Sequence, residues 1–525
     1  MPAISIFNDV IGPVMRGPSS SHCAAALRIG RLARDLMDGD ITDVLIEFDR
    51  QGSLPTTHAS QGSDMGLFGG LLGWEADDER LPDSDRALAD AGIRLRIETV
   101  DVGDPHPNTY RLTLKGAREE HTLIAISTGG GMMEVIRLDD VPLRMDGGYA
   151  ETLIWLDAAP REAVDRLAAS VDADEVLTHD TPEGLLVQVK AATFVPDDVL
   201  ADLRPRRLRR LGRVLPVPSR RGTLLPFTGS AELLTHDGDR HTPLWRLAVM
   251  YETARSGLGE DEVVERMGDI VRILRRSIER GIAGTHYDDR VLGHQSGRFL
   301  EMMEAGRLLD GGALNRIVLY VTALMEVKSA MGVIVAAPTA GACAALPGAV
   351  IAMAESMGRS EEDMARAMLA AGLIGVFFTT RWTFAAEVGG CQAEGGAAAC
   401  MAAAALVTLA GGDRDQALAA ASMALQSMLG LICDPIANRV EAPCLGKNVM
   451  AASNALACAN MALAGFDPLI PLDEVIDAAK DVATRMPREH RCTSLGGLAI
   501  TPTSLAIEQR LAAAKGGGCA GCGCG

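Results

Sequence analysis

The stretch Glu361-Glu-Asp-Met-Ala-Arg-Ala-Met-Leu-Ala-Ala-Gly-Leu-Ile-Gly-Val-Phe-Phe378 decides the fold class of the larger part of this chain. Its composition and helical spacing predict a long helix with a mainly apolar surface. Similar stretches, separated by Gly, Pro and Asn, follow one another from about residue 246, and strand patterns disappear there. The further predicted helices are 260–280, 314–331, 348–357, 416–429 and 472–485. We therefore expect residues 246–515 to form an all-helical domain, packed closely because Ala and Gly let helices approach.

The first 150 residues show a different pattern. A helix is predicted over residues 24–36 because apolar residues recur there with helical spacing. Alternating or continuous apolar runs predict several strands, namely 44–48, 93–100, 110–114, 122–128 and 133–138. Residues 1–150 are therefore predicted to form an α+β domain.

Residues 151–245 are predicted to form a small αβ module followed by an Arg/Pro-rich linker. The basic residues of this segment are Arg204, Arg206, Arg207, Arg209, Arg210, Arg213, Arg220 and Arg221. They could form an anion-binding or nucleic-acid-binding patch, but the neighbouring prolines and the acidic chain favour a solvated face or linker. The tail 516–525 is too rich in Gly to fold alone.

Composition restricts the partners and the location of the protein. The net charge of −19 argues against nucleic acid, since phosphate binding needs a basic surface. The N-terminus has neither the basic nor the apolar region of a signal peptide, which favours a cytoplasmic protein. Residues 331–354 carry no charge, but Pro338, Thr339 and Gly341 interrupt them, so we expect a buried helix pair and no membrane span.

Eleven cysteines in such a chain indicate metal binding, catalysis or simple burial and not a disulfide framework. Cys391, Cys433 and Cys444 lie at Gly- or Pro-marked breaks between predicted helices, where freed backbone N–H groups could bind cluster sulfides. Their spacing alone does not distinguish a ligand set from ordinary buried thiols. Cys343, Cys400 and Cys458 lie in Ala-rich runs, where a cysteine packs as a small hydrophobic residue.

Two polar motifs in the first 150 residues are further candidates. Ser19, Ser20 and Ser21 precede a predicted helix, where hydroxyls can cap the helix or bind a carboxylate, and His22 beside them could move a proton. The alternative is a well-capped helix with an incidental histidine. The motif from His106 to Thr109 leads into a strand and could be only a turn.

Taken in order, the motifs resemble those of the iron–sulfur-dependent L-serine dehydratases. The shared motifs are Ser19-Ser-Ser-His22, His106-Pro-Asn-Thr109, Gly129-Gly-Gly131, Ala337-Pro-Thr-Ala-Gly341, Gly390-Cys-Gln-Ala-Glu394, Cys433-Asp-Pro435, Pro443-Cys444, Lys447-Asn448 and Thr493-Ser-Leu-Gly-Gly-Leu498. The resemblance covers residues of about 1–150, similar to the family's β domain, and about 260–505, similar to its helical α domain.

The resemblance implies a [4Fe-4S] cluster on Cys391, Cys433 and Cys444, with one open iron for the hydroxyl of a small amino-acid substrate. It implies deamination of L-serine to pyruvate and ammonia in amino-acid catabolism, at a site between β and α domains, in a homo-oligomer. The residues that carry over as substrate-binding are Ser19, Ser20, Ser21, Gln61, Asp64, His106, Asn108, Thr339 and Asn448. His22 is expected to be catalytic.

The sequence departs from the family pattern at two motifs. Gln61 stands where the family has the histidine of Gly-His-Gly-Thr-Asp, so His58, three residues earlier, is a candidate replacement. Arg491-Cys492 stands where the family favours Lys-Glu before Thr-Ser. These changes leave open the same chemistry on another β-hydroxy or β-substituted amino acid, or a non-catalytic iron–sulfur sensor. Cys519, Cys522 and Cys524 of the tail could act as a fourth iron ligand or have no role.

Overall fold

The computed structural model describes residues 3–17, 19–157, 161–201 and 203–516. The chain forms two compact units. One consists mainly of Ser20–Thr223, and the other combines Ile4–Ser19 with the residues from Leu224 onward. This division differs from the boundaries expected at residues 150 and 245.

Among the described residues, strands and helices follow one another in a clear order along the chain. The strands are β1 (Val14–Arg16), β2 (Asp43–Asp49), β3 (Arg94–Val100), β4 (Thr109–Lys115), β5 (Glu120–Gly129), β6 (Met132–Leu138), β7 (Val141–Met145), β8 (Ala150–Leu156), β9 (Ala173–Thr181), β10 (Gly184–Ala191), β11 (Arg207–Leu211) and β12 (Val333–Val335). The α-helices are α1 (Ala25–Leu36), α2 (Leu54–Gln61), α3 (Ser63–Leu71), α4 (Ser84–Asp90), α5 (Arg161–Ser170), α6 (Asp197–Ala201), α7 (Ser230–Asp237), α8 (Leu244–Ser256), α9 (Glu260–Ala283), α10 (Ser296–Glu304), α11 (Ala313–Ser329), α12 (Ala345–Ser356), α13 (Glu361–Arg381), α14 (Ala386–Gly389), α15 (Ala397–Ala410), α16 (Arg414–Gln426), α17 (Cys444–Leu463), α18 (Leu472–Arg485) and α19 (Pro502–Gly516).

The first unit is built on a six-stranded sheet in the order β3-β2-β4-β5-β6-β7. Only β2 and β3 pair in parallel, and the remaining neighbours are antiparallel. Helices α1 and α3 cover one face, where Ile29 and Leu67 share a buried core with Ile46 and Tyr110 of the sheet. The predicted α+β class of this unit and its five predicted strands are confirmed.

The unit continues into a second, four-stranded antiparallel sheet in the order β11-β8-β10-β9. The middle of the basic run, residues 207–211, forms the edge strand β11 and is neither a linker nor a helix face, whereas residues 212–229 are irregular. Its arginines face carboxylates of the same unit: Arg209 pairs with Glu119 and Arg210 with Asp197. These pairs neutralise the run, in agreement with the interpretation that it is not an anion-binding patch.

The second unit is helical, as predicted, apart from one short pair of strands. Long apolar helices such as α13 and α15 lie side by side at its centre, and their small residues are fully buried. Gly281 illustrates the packing, since a Cβ on this residue of α9 would collide with the carbonyl oxygen of Ala323 on α11. Removing such helices from water is the main source of stability here.

The beginning of the chain belongs to this helical unit. Ser5 Oγ donates a hydrogen bond to the buried carboxylate of Glu252 on α8 at 2.7 Å, and the N–H of Ile6 donates to the same group at 2.8 Å. Strand β1 pairs with β12.

The expectation of a helix pair over residues 331–354 is wrong, because this segment holds strand β12, a loop and the single helix α12.

Two helical segments of the described chain, Glu361–Arg381 and Gln392–Ala410, are long and apolar enough to cross a membrane by length and composition. Within the protein, 78% and 83% of these stretches are buried, which is the usual situation of helices at the centre of a folded core.

Candidate active site

The three candidate ligand cysteines lie at breaks between helices, as the sequence predicted. Cys391 follows α14 through Gly390, whose φ of 66° is in the left-handed region that favours glycine. Cys433 lies in the loop after α16, and Cys444 is the first residue of α17. All three are buried, with exposed fractions of 4–6%.

The structure adds a fourth cysteine to this group. The thiols of Cys391 and Cys492 both lie within hydrogen-bonding distance of the thiol of Cys433, and these contacts, with burial, raise the pKa of Cys433 far above its usual range. The backbone holds the pair in place, because the N–H of Cys492 donates to the carbonyl of Cys433 at 3.2 Å and the N–H of Cys433 donates to the carbonyl of His490 at 2.9 Å. Sequence reasoning noted Cys492 only as a departure from a motif.

Lys447 lies among these cysteines. Its Nζ is 3.6 Å from Sγ of Cys391 and donates to Oδ1 of Asp434 at 2.5 Å and to the carbonyl of Ile432 at 2.7 Å. Burial alone would lower the pKa of Lys447, but the neighbouring Cys391 and Asp434 raise it overall. A fixed ammonium group thus stands in contact with Sγ of Cys391.

The donor set fits an iron–sulfur cluster. Buried thiols in mutual contact resist ionisation, as the raised pKa values of Cys433 and Cys444 indicate, and a bound cationic centre removes that resistance. Within the described residues, no three His, Cys, Asp or Glu side chains are arranged to hold a single metal ion. A [4Fe-4S] cluster is held by cysteine thiolates through several irons, so it does not need three side chains around one ion.

Thr339 and Asn448 support the loop that precedes α12. Thr339 Oγ1 donates to Oε1 of Glu394 at 2.8 Å, and burial raises the pKa of Glu394 to about 7. The Asn448 side-chain carbonyl accepts from the N–H groups of Ala344 and Ala345, and its amide group donates to the carbonyls of Gly341 and Cys444. All hydrogen-bonding positions of Asn448 are thus used within the protein, which makes it a positioning residue; direct substrate contact by Thr339 or Asn448 stays a prediction.

The polar motifs of the first unit come together around His22. Residues 20–24 form a short helical turn that leads into α1, and His22 Nε2 lies 3.2 Å from Thr57 Oγ1 on α2. Thr57 donates to the carbonyl of Ser53 at 2.7 Å, and the Ser53 hydroxyl binds Asn108. Burial lowers the pKa of His22 to about 4, so its ring is neutral at pH 7. Thr57 and Ser53 were not expected from the sequence.

The remaining candidates of the first two motifs differ in their burial. The N–H of Asn108 donates to His106 Nδ1 at 3.2 Å, as in a turn, and burial lowers the pKa of His106. Ser20 is buried, whereas Ser21 is half-buried and its carbonyl accepts from Ser127 Oγ at 2.6 Å. Ser19 belongs to the N-terminal segment of the helical unit.

His58 and Asp64 form a pair across the junction of α2 and α3. His58 Nδ1 lies 2.8 Å from both carboxylate oxygens of Asp64. The chain turns between the two helices at Gly62, whose φ is 88°. A carboxylate at Nδ1 favours the tautomer protonated there and leaves Nε2 as a proton acceptor. Gln61, the last residue of α2, is half-buried beside this pair.

The other cysteines behave as the sequence indicated where they can be followed. Cys343, Cys400 and Cys458 are buried, and burial raises the pKa of Cys343 to about 11, as for inert packing thiols. Cys519, Cys522 and Cys524 lie outside the described residues.

Comparison with known proteins gives consistent matches over both units. The model of the family "Serine dehydratase alpha chain" matches residues 201–499. An L-serine dehydratase of Streptomyces coelicolor is 31% identical over 508 residues, covering 95% of this chain and 99% of that protein. Two separate Bacillus subtilis proteins also match. The probable L-serine dehydratase alpha chain of this bacterium is 37% identical, and the match covers 48% of this chain and 84% of the relative. The probable beta chain is 32% identical, and the match covers 38% of this chain and 92% of the relative.

Proposed function

The chain belongs to the L-serine dehydratase family, and we propose that it deaminates L-serine to pyruvate and ammonia with a [4Fe-4S] cluster held by Cys391, Cys433 and Cys444. It is an enzyme in which the counterparts of separate alpha and beta chains are joined, since relatives of both kinds match it and one single-chain relative matches 95% of it. The observation that best supports the proposed cluster is that buried cysteines from three helix breaks lie together beside the ammonium of Lys447.

The reaction has two chemical difficulties, because the α-proton of an amino acid is weakly acidic and hydroxide is a poor leaving group. When bound, the cluster supplies a Lewis-acidic iron for the substrate hydroxyl. Proton removal falls to a side chain, and His58 fits that role because Asp64 orients its ring and leaves Nε2 free to accept the α-proton. Loss of hydroxide then leaves aminoacrylate, which water hydrolyses to pyruvate and ammonia.

The neutral His22 is suited to orient substrate or to accept a proton, since burial keeps it uncharged over the physiological range. The hydroxyls of Ser19, Ser20 and Ser21 are proposed to bind the substrate carboxylate, with Gln61, His106 and Asn108 completing the substrate contacts. Thr339 and Asn448 contribute by holding the loop before α12 in place. We further propose that the enzyme is cytoplasmic and acts as a homo-oligomer.

A second substrate remains a specific alternative because of Gln61. Glutamine cannot move a proton, so a site that has glutamine in place of a histidine could accept another β-hydroxy or β-substituted amino acid. A non-catalytic sensor has less support, since the relatives that match most of the chain are named as enzymes.

The test is anaerobic purification followed by iron and sulfide assays and by measurement of pyruvate from L-serine. A panel of β-hydroxy and β-thio amino acids is assayed in parallel. We expect a brown protein with four irons per chain, turnover of L-serine and loss of turnover in Cys433→Ala. Iron-free anaerobic protein would refute the cluster, and far higher activity on another amino acid would reassign the substrate.

A further inference from the structure

Cys492 is half-buried and lies beside the proposed ligand cysteines, but the proposed ligand set does not use it. It lies in the segment after α18, and its thiol is within hydrogen-bonding distance of the thiol of Cys433. Together with Leu431, it packs against a small buried cluster of Ala386, Cys391 and Cys433. Its thiol is therefore close to two of the three proposed ligands.

The backbone fixes this position independently of the side-chain rotamers. Residues 491 and 433 form a parallel bridge, and hydrogen bonds on both sides of it join the 490–492 segment to Cys433. Asp434 strengthens the connection, since its Oδ2 accepts from the N–H of Leu498 at 2.9 Å while its Oδ1 binds Lys447. Any cluster bound to Cys433 would consequently lie within reach of the 490–498 segment.

The side-chain surroundings of Cys492 agree with this placement. Cys492 is half-buried, and two of the proposed ligands, Cys391 and Cys433, belong to the small cluster against which it packs. Its thiol is therefore already beside the ligands that would hold the cluster.

We propose that Cys492 is a fourth cysteine ligand of the cluster in the substrate-free enzyme, bound to the iron that Cys391, Cys433 and Cys444 leave open. The inference rests on the proposed function, because it needs a cluster at this place. It assigns the fourth ligand to a residue of the folded helical unit and not to the tail cysteines 519, 522 and 524. A substrate hydroxyl would then have to displace the thiolate of Cys492 to reach the iron.

The experiment compares wild type, Cys492→Ala and Cys492→Ser, each purified as full-length protein without oxygen. Iron and sulfide per chain are measured first. Each sample is then treated with ferricyanide, which removes one electron from a [4Fe-4S]²⁺ cluster; loss of the open iron as Fe²⁺ leaves a [3Fe-4S]⁺ cluster with a distinctive electron paramagnetic resonance signal. Because a fourth ligand retains that iron, we expect a severalfold larger [3Fe-4S]⁺ signal in both variants than in wild type.

Two controls separate this result from other causes. Cys458→Ala removes a buried cysteine elsewhere on α17 and should behave like wild type. A triple variant, Cys519→Ser with Cys522→Ser and Cys524→Ser, tests the tail. Equal signals in wild type and the Cys492 variants would overturn the proposal, as would a large signal in the tail variant alone. Iron-free wild type would overturn the cluster itself and this assignment with it, whereas iron-loaded protein with unchanged spectra would overturn only the assignment.

Discussion

Lys447 Nζ lies 3.6 Å from Sγ of Cys391, so a half-buried ammonium charge stands beside the first of the proposed cluster ligands. The same Nζ binds Asp434, whose other carboxylate oxygen accepts from the N–H of Leu498. One lysine thus connects the cysteine group, the loop after Cys433 and the segment that follows Cys492.

Removal of this charge should weaken both the cluster site and the fold. In Lys447→Met the Sγ of Cys391 loses the neighbouring ammonium and the buried Asp434 loses its partner, which costs about 3 kcal/mol of unfolding free energy. We expect less iron per chain after anaerobic reconstitution and a lower urea midpoint. Lys480→Met on α18, where the side chain is exposed, is the matched control and should change neither quantity. Full iron occupancy in Lys447→Met would contradict the role of the charge.

Asn448→Ala should destabilise the helical unit and reduce activity. The substitution leaves the buried N–H groups of Ala344 and Ala345 and the carbonyls of Gly341 and Cys444 without their partner. Each unsatisfied buried group costs about 1–3 kcal/mol, although relaxation reduces the sum. Urea unfolding measures the loss. Asn454→Ala on the same helix removes one hydrogen bond to the carbonyl of Ala424 and a weak one from the thiol of Cys458, and should cost clearly less. Equal losses would argue against the special position of Asn448.

The pair of His58 and Asp64 should control turnover and not cluster content. His58→Asn should lower kcat by about 10²–10⁴-fold if His58 removes the α-proton. Asp64→Asn should lower kcat less, since the base remains but its ring is no longer held in the useful tautomer. The measurement is pyruvate formation at equal iron content.

The first unit contains a similar pair that serves as the control. His121 Nδ1 lies 2.8 Å from Asp139, and the His121 side chain is almost fully buried in the sheet region. Asp139→Asn should therefore leave kcat unchanged. Unchanged kcat in His58→Asn would exclude His58 as the base.

The low pKa of His22 predicts a stability change in mildly acidic solution. Burial lowers its pKa from 6.5 to about 4, so between these values the unfolded chain binds a proton that the folded chain does not. Stability from this group is present above pH 6.5 and is lost as the pH falls toward 4, by about 2 kcal/mol at pH 5. Urea unfolding at pH 5 and pH 7.5 tests this prediction.

His22→Asn should remove that part of the pH dependence, so that the variant loses less stability between pH 7.5 and pH 5 than wild type. His286→Asn is the control, because His286 is exposed and should leave the pH dependence unchanged. The same slope in wild type and His22→Asn would show that His22 is not buried in its neutral form.

The sequence by itself determined the fold class and most helices, and it supplied the candidate cysteine ligands. The apolar periodicity over residues 361–378 led to α13, and the alternation over residues 110–114 led to β4, since periodicity is a property of neighbouring residues. Glycine and proline marked the breaks where Cys391, Cys433 and Cys444 lie, because these residues act on the local backbone.

Only the tertiary structure decided which distant residues meet. It placed Cys492 against Cys433, bound Asn448 to the loop before α12 and assigned Ile4–Ser19 to the helical unit. It also made residues 207–211 of the arginine run an edge strand, since pairing with β8 and with acidic side chains outweighs their weak local preference. Such contacts depend on how elements pack and not on the order of neighbouring residues, which is why the fourth cysteine could not be assigned from spacing.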